Sequence, residues 1–92
     1  MVRVHLASVL RTFAPGLDGR EFPGAEGSVA ELLERVAAAG PVGFRARLFE
    51  GAALRRYLAV YIDGVDIRFT GGLASRVGGD SRVDLIPAVA GG

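Results

Sequence analysis

The sequence predicts an α+β fold in which one main helix covers one face of a single mixed β-sheet. Three observations carry that expectation. Apolar residues alternate with period two near both ends and in the second half of the chain, as Val2, Val4 and Leu6, as Leu58, Val60 and Ile62, and as Val83 and Leu85. One segment, from Ser28 to Gly40, has helical apolar spacing between a start signal and a stop signal. The resulting order is strand, strand, helix, strand, short strand, strand. It buries both kinds of stripe only if the helix lies on one face of the sheet, which leaves the other face open to a partner.

Taken in order, Val2 to Leu6 opens the chain as a strand, and the apolar run continues through VRVHLASVL to Arg11. Pro15-Gly16 and Asp18-Gly19 mark a loop, and Arg20 to Phe22 is a short second strand. Its closeness in sequence favours an antiparallel hairpin with the first. Ser28-Val29-Ala30-Glu31 is a capping box: the Ser28 hydroxyl accepts from the Glu31 N–H while the Glu31 carboxylate reaches back to the Ser28 N–H. Leu32, Leu33, Val36 and Ala37 then form the apolar stripe, and Gly40-Pro41 stops the helix.

Pro41 to Arg56 is mixed and reads as a helical turn plus a long surface loop, pinned by Leu48, Phe49 and Leu54. Tyr57 to Asp63 is the strongest strand. Asp63-Gly64 makes a tight turn into a strand from Val65 to Arg68. Gly78-Gly79-Asp80 turns the chain into the last strand, Arg82 to Ile86, and Pro87 ends regular pairing because it has no N–H to donate. The 92 residues are expected to form a single domain, residues 1–92, with a flexible C-terminal tail at 88–92.

Composition removes several classes of function. Half the residues are apolar and none is cysteine, so disulfides, thiolate metal sites, redox thiols and cysteine nucleophiles are excluded. The absence of disulfides in so small a domain points to a cytoplasmic protein. The N-terminal apolar run is broken by His5 and Ser8 and is too short to span a bilayer or to act as an export signal, so no membrane partner is expected. A net charge of +1 argues against nucleic acid as a partner. All eleven basic residues are arginine; without lysine the chain has no side-chain amine to accept a ubiquitin-like protein, though it can still be a donor.

After Pro87 the chain reads Ala88-Val89-Ala90-Gly91-Gly92. Two terminal glycines are weakly informative in a chain with 14 of them, but behind a final strand of this order they are far more specific. The stretches Tyr61 to Leu73 (YIDGVDIRFTGGL) and Asp80 to Gly92 (DSRVDLIPAVAGG) resemble the MoaD/ThiS family of sulfur carriers, which includes the small subunit of molybdopterin synthase and the thiamine-pathway carrier. The resemblance covers the whole chain. Within the family, DIRFTGGL and the PAVAGG ending look most like the branch that feeds cysteine biosynthesis. The Pro-x-Val-x-Gly-Gly ending is also shared by the molybdopterin-type carriers.

The resemblance implies a ubiquitin-like β-grasp fold and a protein co-substrate, not an enzyme. It implies that a partner E1-like adenylating and sulfurtransferase enzyme uses ATP to adenylate the Gly92 carboxylate, and that a sulfur donor then displaces AMP to leave a thiocarboxylate. That group would serve a sulfur-acceptor synthase, cysteine synthase-like or the molybdopterin synthase large subunit. The chain itself is expected to bind no cofactor and no metal. Val89, Ala90 and Gly91 would thread into the partner's active site, a task suited to residues with little or no side chain.

The family pattern also places the partner interface on the open sheet face beside the tail. By alternation Ile86 faces away from Val83 and Leu85, and Tyr61 away from Ile62. Ile86, Pro87, Tyr61, Arg68 and Phe69 are therefore the expected interface. The first-strand position that is often aromatic on this face in the molybdopterin carriers is Ala7 here.

Other signals are better explained by structure. Arg45, Arg47, Arg55 and Arg56 cluster in the loop region and read as a solvated surface. Gly71-Gly72 and Gly78-Gly79 lead into no helix with a following Lys-Ser/Thr, so they are turn glycines. His5, the sole histidine, has no serine placed with it as a triad. Two rival functions remain at this point. A ubiquitin-like modifier would be conjugated to other proteins through Gly92, and a β-grasp binding module would not need its glycine tail.

Overall fold

The computed structural model describes residues 1–23 and 27–87. The expected tail at 88–92 lies outside the described residues. The strands are β1 (Val2–Leu6), β2 (Arg20–Phe22), β3 (Gly27–Ser28), β4 (Phe49–Glu50), β5 (Ala53–Leu54), β6 (Leu58–Ile62), β7 (Val65–Asp66), β8 (Arg76–Val77) and β9 (Arg82–Pro87). The α-helices are α1 (Ser8–Phe13), α2 (Val29–Ala39) and α3 (Phe44–Leu48), with single 3-10 turns at Pro15–Leu17, Ile67–Phe69 and Gly72–Ala74.

The main sheet has the order β2-β1-β9-β6-β7. The β1–β9 pair is parallel, and the β1–β2, β6–β9 and β6–β7 pairs are antiparallel. Register explains the core. Val4 and Ile62 both sit opposite Val83, and Leu6 and Val60 both sit opposite Leu85, so two apolar rows cross the three central strands on one face. Helix α2 covers that face with Val29, Leu32, Leu33, Val36 and Ala37, and Phe44 and Leu48 of α3 are buried with them. The helix begins as its sequence requires: the Glu31 N–H donates to the Ser28 hydroxyl at 3.2 Å, and the Ser28 N–H donates to the Glu31 carboxylate at 2.9 Å. The Ser28 N–H, and the Ser28 hydroxyl donating to the same carboxylate at 3.1 Å, hold the Glu31 carboxyl below its ordinary pKa.

Five local expectations need correction. The apolar run after Leu6 is not strand but helix α1, which Ala7 precedes in an extended conformation with no side-chain cap. Gly40 does end α2, but with φ −91° its backbone suits any residue. The requirement there is space, because a Cβ would lie 2.5 Å from Cδ2 of the fully buried Phe44. The loop expected between Pro41 and Arg56 carries α3 and a tight β4–β5 hairpin. The strand after Asp63-Gly64 lasts two residues, because the Asp66 carboxylate accepts from the Arg68 N–H at 2.9 Å and caps a 3-10 turn. The turn itself is as expected: φ is +49° at Asp63 and +87° at Gly64, the double positive that matches hairpin twist. Pro87, expected to end pairing, remains in β9 opposite Leu58.

Candidate functional site

Alternation along β9 puts Val83 and Leu85 at 0% exposure and Ile86 at 38%, so Ile86 faces away from the helix, as expected. Its cross-strand partner is Ala59. The next row of the open face is His5, Asp84 and Tyr61, with His5 and Tyr61 both opposite Asp84. Ile86 is thus an apolar point on a face that is otherwise largely polar.

Charges on this face are paired within the chain. Arg82 donates to Asp84 from Nε and Nη2, each at 3.1 Å, which raises the arginine pKa further above its already high value. Arg3 donates to Glu21 at 3.1 Å, and His5 Nδ1 lies 3.8 Å from Asp18, whose carboxylate also accepts from the Leu6 N–H at 2.9 Å. Exposed pairs like these contribute little stability and fix side-chain placement more than they hold the fold.

Arg68, though most of its side chain is exposed, is paired within the chain. Its guanidinium clamps the buried Asp66 carboxylate, with Nη2 at 2.8 Å from Oδ2 and Nε at 3.2 Å from both oxygens. The side chain and backbone hydrogen bonds from Arg68 hold the Asp66 carboxyl below the usual carboxylate range. Phe69 is 83% exposed but stands off the sheet, on the turn that follows β7. The structure therefore groups Ile86 and Tyr61 on the open face of β6 and β9, puts Pro87 on the other face opposite Leu58, and places Arg68 and Phe69 on the turn after β7.

Val89, Ala90, Gly91 and Gly92, the expected threading and reactive residues, lie outside the described residues. Their point of departure is defined. Pro87 ends β9 opposite Leu58 and lines a cleft of about 140 Å³ together with Val9, Leu10, Tyr57 and Leu58. Sequence reasoning did not single out Val9 and Tyr57, which are 49% and 55% exposed there. Helix α1 brings Val9 to this position, so no reading that continued the first strand past Leu6 finds it.

The basic cluster is largely engaged within the chain. Arg45 bonds Glu34 at 2.8 and 3.0 Å and lies over the Phe49 ring, Arg47 lies over Phe13, and Arg55 donates to the Ala46 carbonyl at 2.9 Å. Among the described residues no three His, Cys, Asp or Glu side chains are grouped to hold a metal, and no helix is long and apolar enough to cross a membrane.

Residues 4–92 match the ThiS family. The chain belongs to that family. It is 31% identical over 94 residues to the sulfur carrier protein CysO of Mycobacterium tuberculosis (strain H37Rv), covering 99% of this chain and 98% of that protein. This ThiS-family chain also superposes on the crystal structure of the Amycolatopsis orientalis BexX/CysO complex with a TM-score of 0.82 and 34% identity, covering 100% of each chain. Mycobacterium tuberculosis CysO itself matches with a TM-score of 0.77 and 26% identity over 97% of this chain and 100% of that one. The ubiquitin-like β-grasp fold and the family resemblance expected from the sequence are both borne out.

Proposed function

We propose that this ThiS-family protein is a sulfur carrier whose reactive group is the Gly92 carboxylate. The observation that carries the reading is the likeness along the whole chain to a sulfur carrier protein, joined to a Gly91-Gly92 ending behind β9.

The chemistry follows from what a carboxylate lacks. It is a poor electrophile until one oxygen becomes a good leaving group. In a partner activating enzyme, a Gly92 oxygen attacks the α-phosphorus of ATP, and the bond to pyrophosphate breaks. Sulfide then attacks the acyl carbon, and AMP departs with the electron pair of the acyl C–O bond. The resulting thiocarboxylate is a sulfur nucleophile toward an electrophilic intermediate held by a second enzyme. We favour the cysteine pathway, because the relatives at 31% and 34% identity carry the name CysO. In both encounters the folded domain is a handle and carries out no catalysis of its own.

Tagged protein recovered from its native cells tests the reading. A carrier is recovered as a single-chain species bearing sulfur in place of one carboxylate oxygen, and deletion of Gly91-Gly92 abolishes it. High-mass adducts on other proteins would replace this reading with that of a modifier. A deletion without consequence would leave only a binding module.

A further inference from the structure

The open sheet face accounts for one side of a docked partner, but it does not surround the tail. Five residues follow Pro87, and an extended chain of five spans at most about 17 Å. An enzyme that encloses the Gly92 carboxylate must therefore press against whatever surrounds Pro87. That surface is specific in character. Val9 and Tyr57 are each about half exposed beside Pro87, and the guanidinium-bearing side chains of Arg47 and Arg55 line the same cleft. Arg47 and Arg55 also line an adjoining cavity of about 370 Å³ with Gly43 and Ala46. Arg47 has no carboxylate partner among the described residues; its guanidinium stands 4.5 Å over the Phe13 ring, which fixes its position without neutralising it. Arg55 donates to the Ala46 carbonyl at 2.9 Å and lies 3.8 Å from the Glu50 carboxylate.

We infer that Val9, Tyr57, Arg47 and Arg55 form a second contact surface, a basic and apolar collar at the root of the tail, whose occupant is an acidic rim around the nucleotide site of the activating enzyme. This rests on the sulfur-carrier reading. Adenylation must bring together two anions, a carboxylate and ATP, so the favourable binding energy has to come from groups remote from the reacting atoms. Arginines beside the tail supply it by pairing with carboxylates on the enzyme. The open face pairs Arg82 with Asp84 and Arg3 with Glu21, whereas the collar holds Arg47, which has no carboxylate partner among the described residues, and Arg55, whose only one, Glu50, is 3.8 Å away.

The test is steady-state pyrophosphate release by the activating enzyme of the source organism, with carrier concentration varied. The variants are Arg47→Glu and Arg47→Glu/Arg55→Glu, each checked for a wild-type melting profile. The double variant is expected to raise the KM for carrier about tenfold with kcat within twofold, because a rim contact is equally present in ground and transition states. Independently of any variant, the wild-type KM should rise steeply with ionic strength. A double-variant KM within twofold of wild type at low salt, or a wild-type KM indifferent to salt, overturns the collar while leaving the carrier reading in place. No pyrophosphate release from wild type overturns the carrier reading itself.

Discussion

Pro87 sits directly opposite Leu58 across the β6–β9 ladder, so the last described residue of the chain is held against the first residue of its strongest strand. Leu58 is buried, and its side chain also lines the cleft beside Pro87. Pro87 is therefore anchored to the core. Truncating Leu58 to Ala should destabilise the domain by about 2–5 kcal/mol through lost burial and a residual cavity. It should also weaken activation beyond what the melting change explains, because the root loses its fixed direction. Urea unfolding beside KM for the activating enzyme measures both.

Ile86 is the contrasting case. At 38% exposure it faces away from the core, so Ile86→Thr, which keeps the β-branched shape, should change stability by no more than about 0.5 kcal/mol. If the open face docks a partner, the same substitution should cost about 1 kcal/mol of binding, roughly a fivefold rise in KM. Calorimetric titration against the activating enzyme separates the two effects.

Gly40→Ala distinguishes two reasons for a glycine. A conformational requirement is absent at φ −91°, but a Cβ would meet Phe44 Cδ2 at 2.5 Å and Cγ at 2.9 Å. Phe44 is fully buried and stacked with Phe13 at 6.1 Å, so it has little room to yield. A loss of about 1–3 kcal/mol in denaturant unfolding is expected. An unchanged midpoint would mean that Phe44 repacks freely.

Asp66 predicts a pH dependence. Its folded pKa is depressed by the hydrogen bonds from Arg68, so its contribution is fully present above the unfolded carboxylate value and is lost as pH falls through the folded one. Asp66→Asn should therefore melt below wild type at neutral pH, and the gap should narrow as pH falls from about 5 through the ordinary carboxylate value near 4 and beyond. Thermal melts across that range check the sign; a gap that widens in acid contradicts it.

The features legible in the sequence were those with a local mechanism. The Ser28–Glu31 box, the Asp63-Gly64 turn and the alternation of β1, β6 and β9 each depend on residues within a few positions of one another, and each forms as written. Helix α1 was not legible, because Val9 and Leu10 extend the apolar run of β1 and Ala7 offers no capping oxygen to mark a new start. The Arg82–Asp84 pair had a usable signal in its i, i+2 spacing, since on a strand that spacing puts both side chains on one face, whereas Arg68 reaches Asp66 from a 3-10 turn where a strand was expected. Of the site, Ile86 and Tyr61 followed from alternation alone. The collar residues Val9, Tyr57, Arg47 and Arg55 are scattered over nearly fifty positions, and only the folded chain brings them to Pro87.

The central claim, that Gly92 is the reactive end, is tested most directly by mass spectrometry of protein incubated with its activating enzyme, ATP and sulfide. The account predicts an intact-mass gain equal to exchange of one oxygen for sulfur, located by fragmentation at Gly92 and absent from a Gly92→Trp variant that still folds. An unchanged mass under conditions where the enzyme turns over ATP, or sulfur located on any other residue, would contradict it.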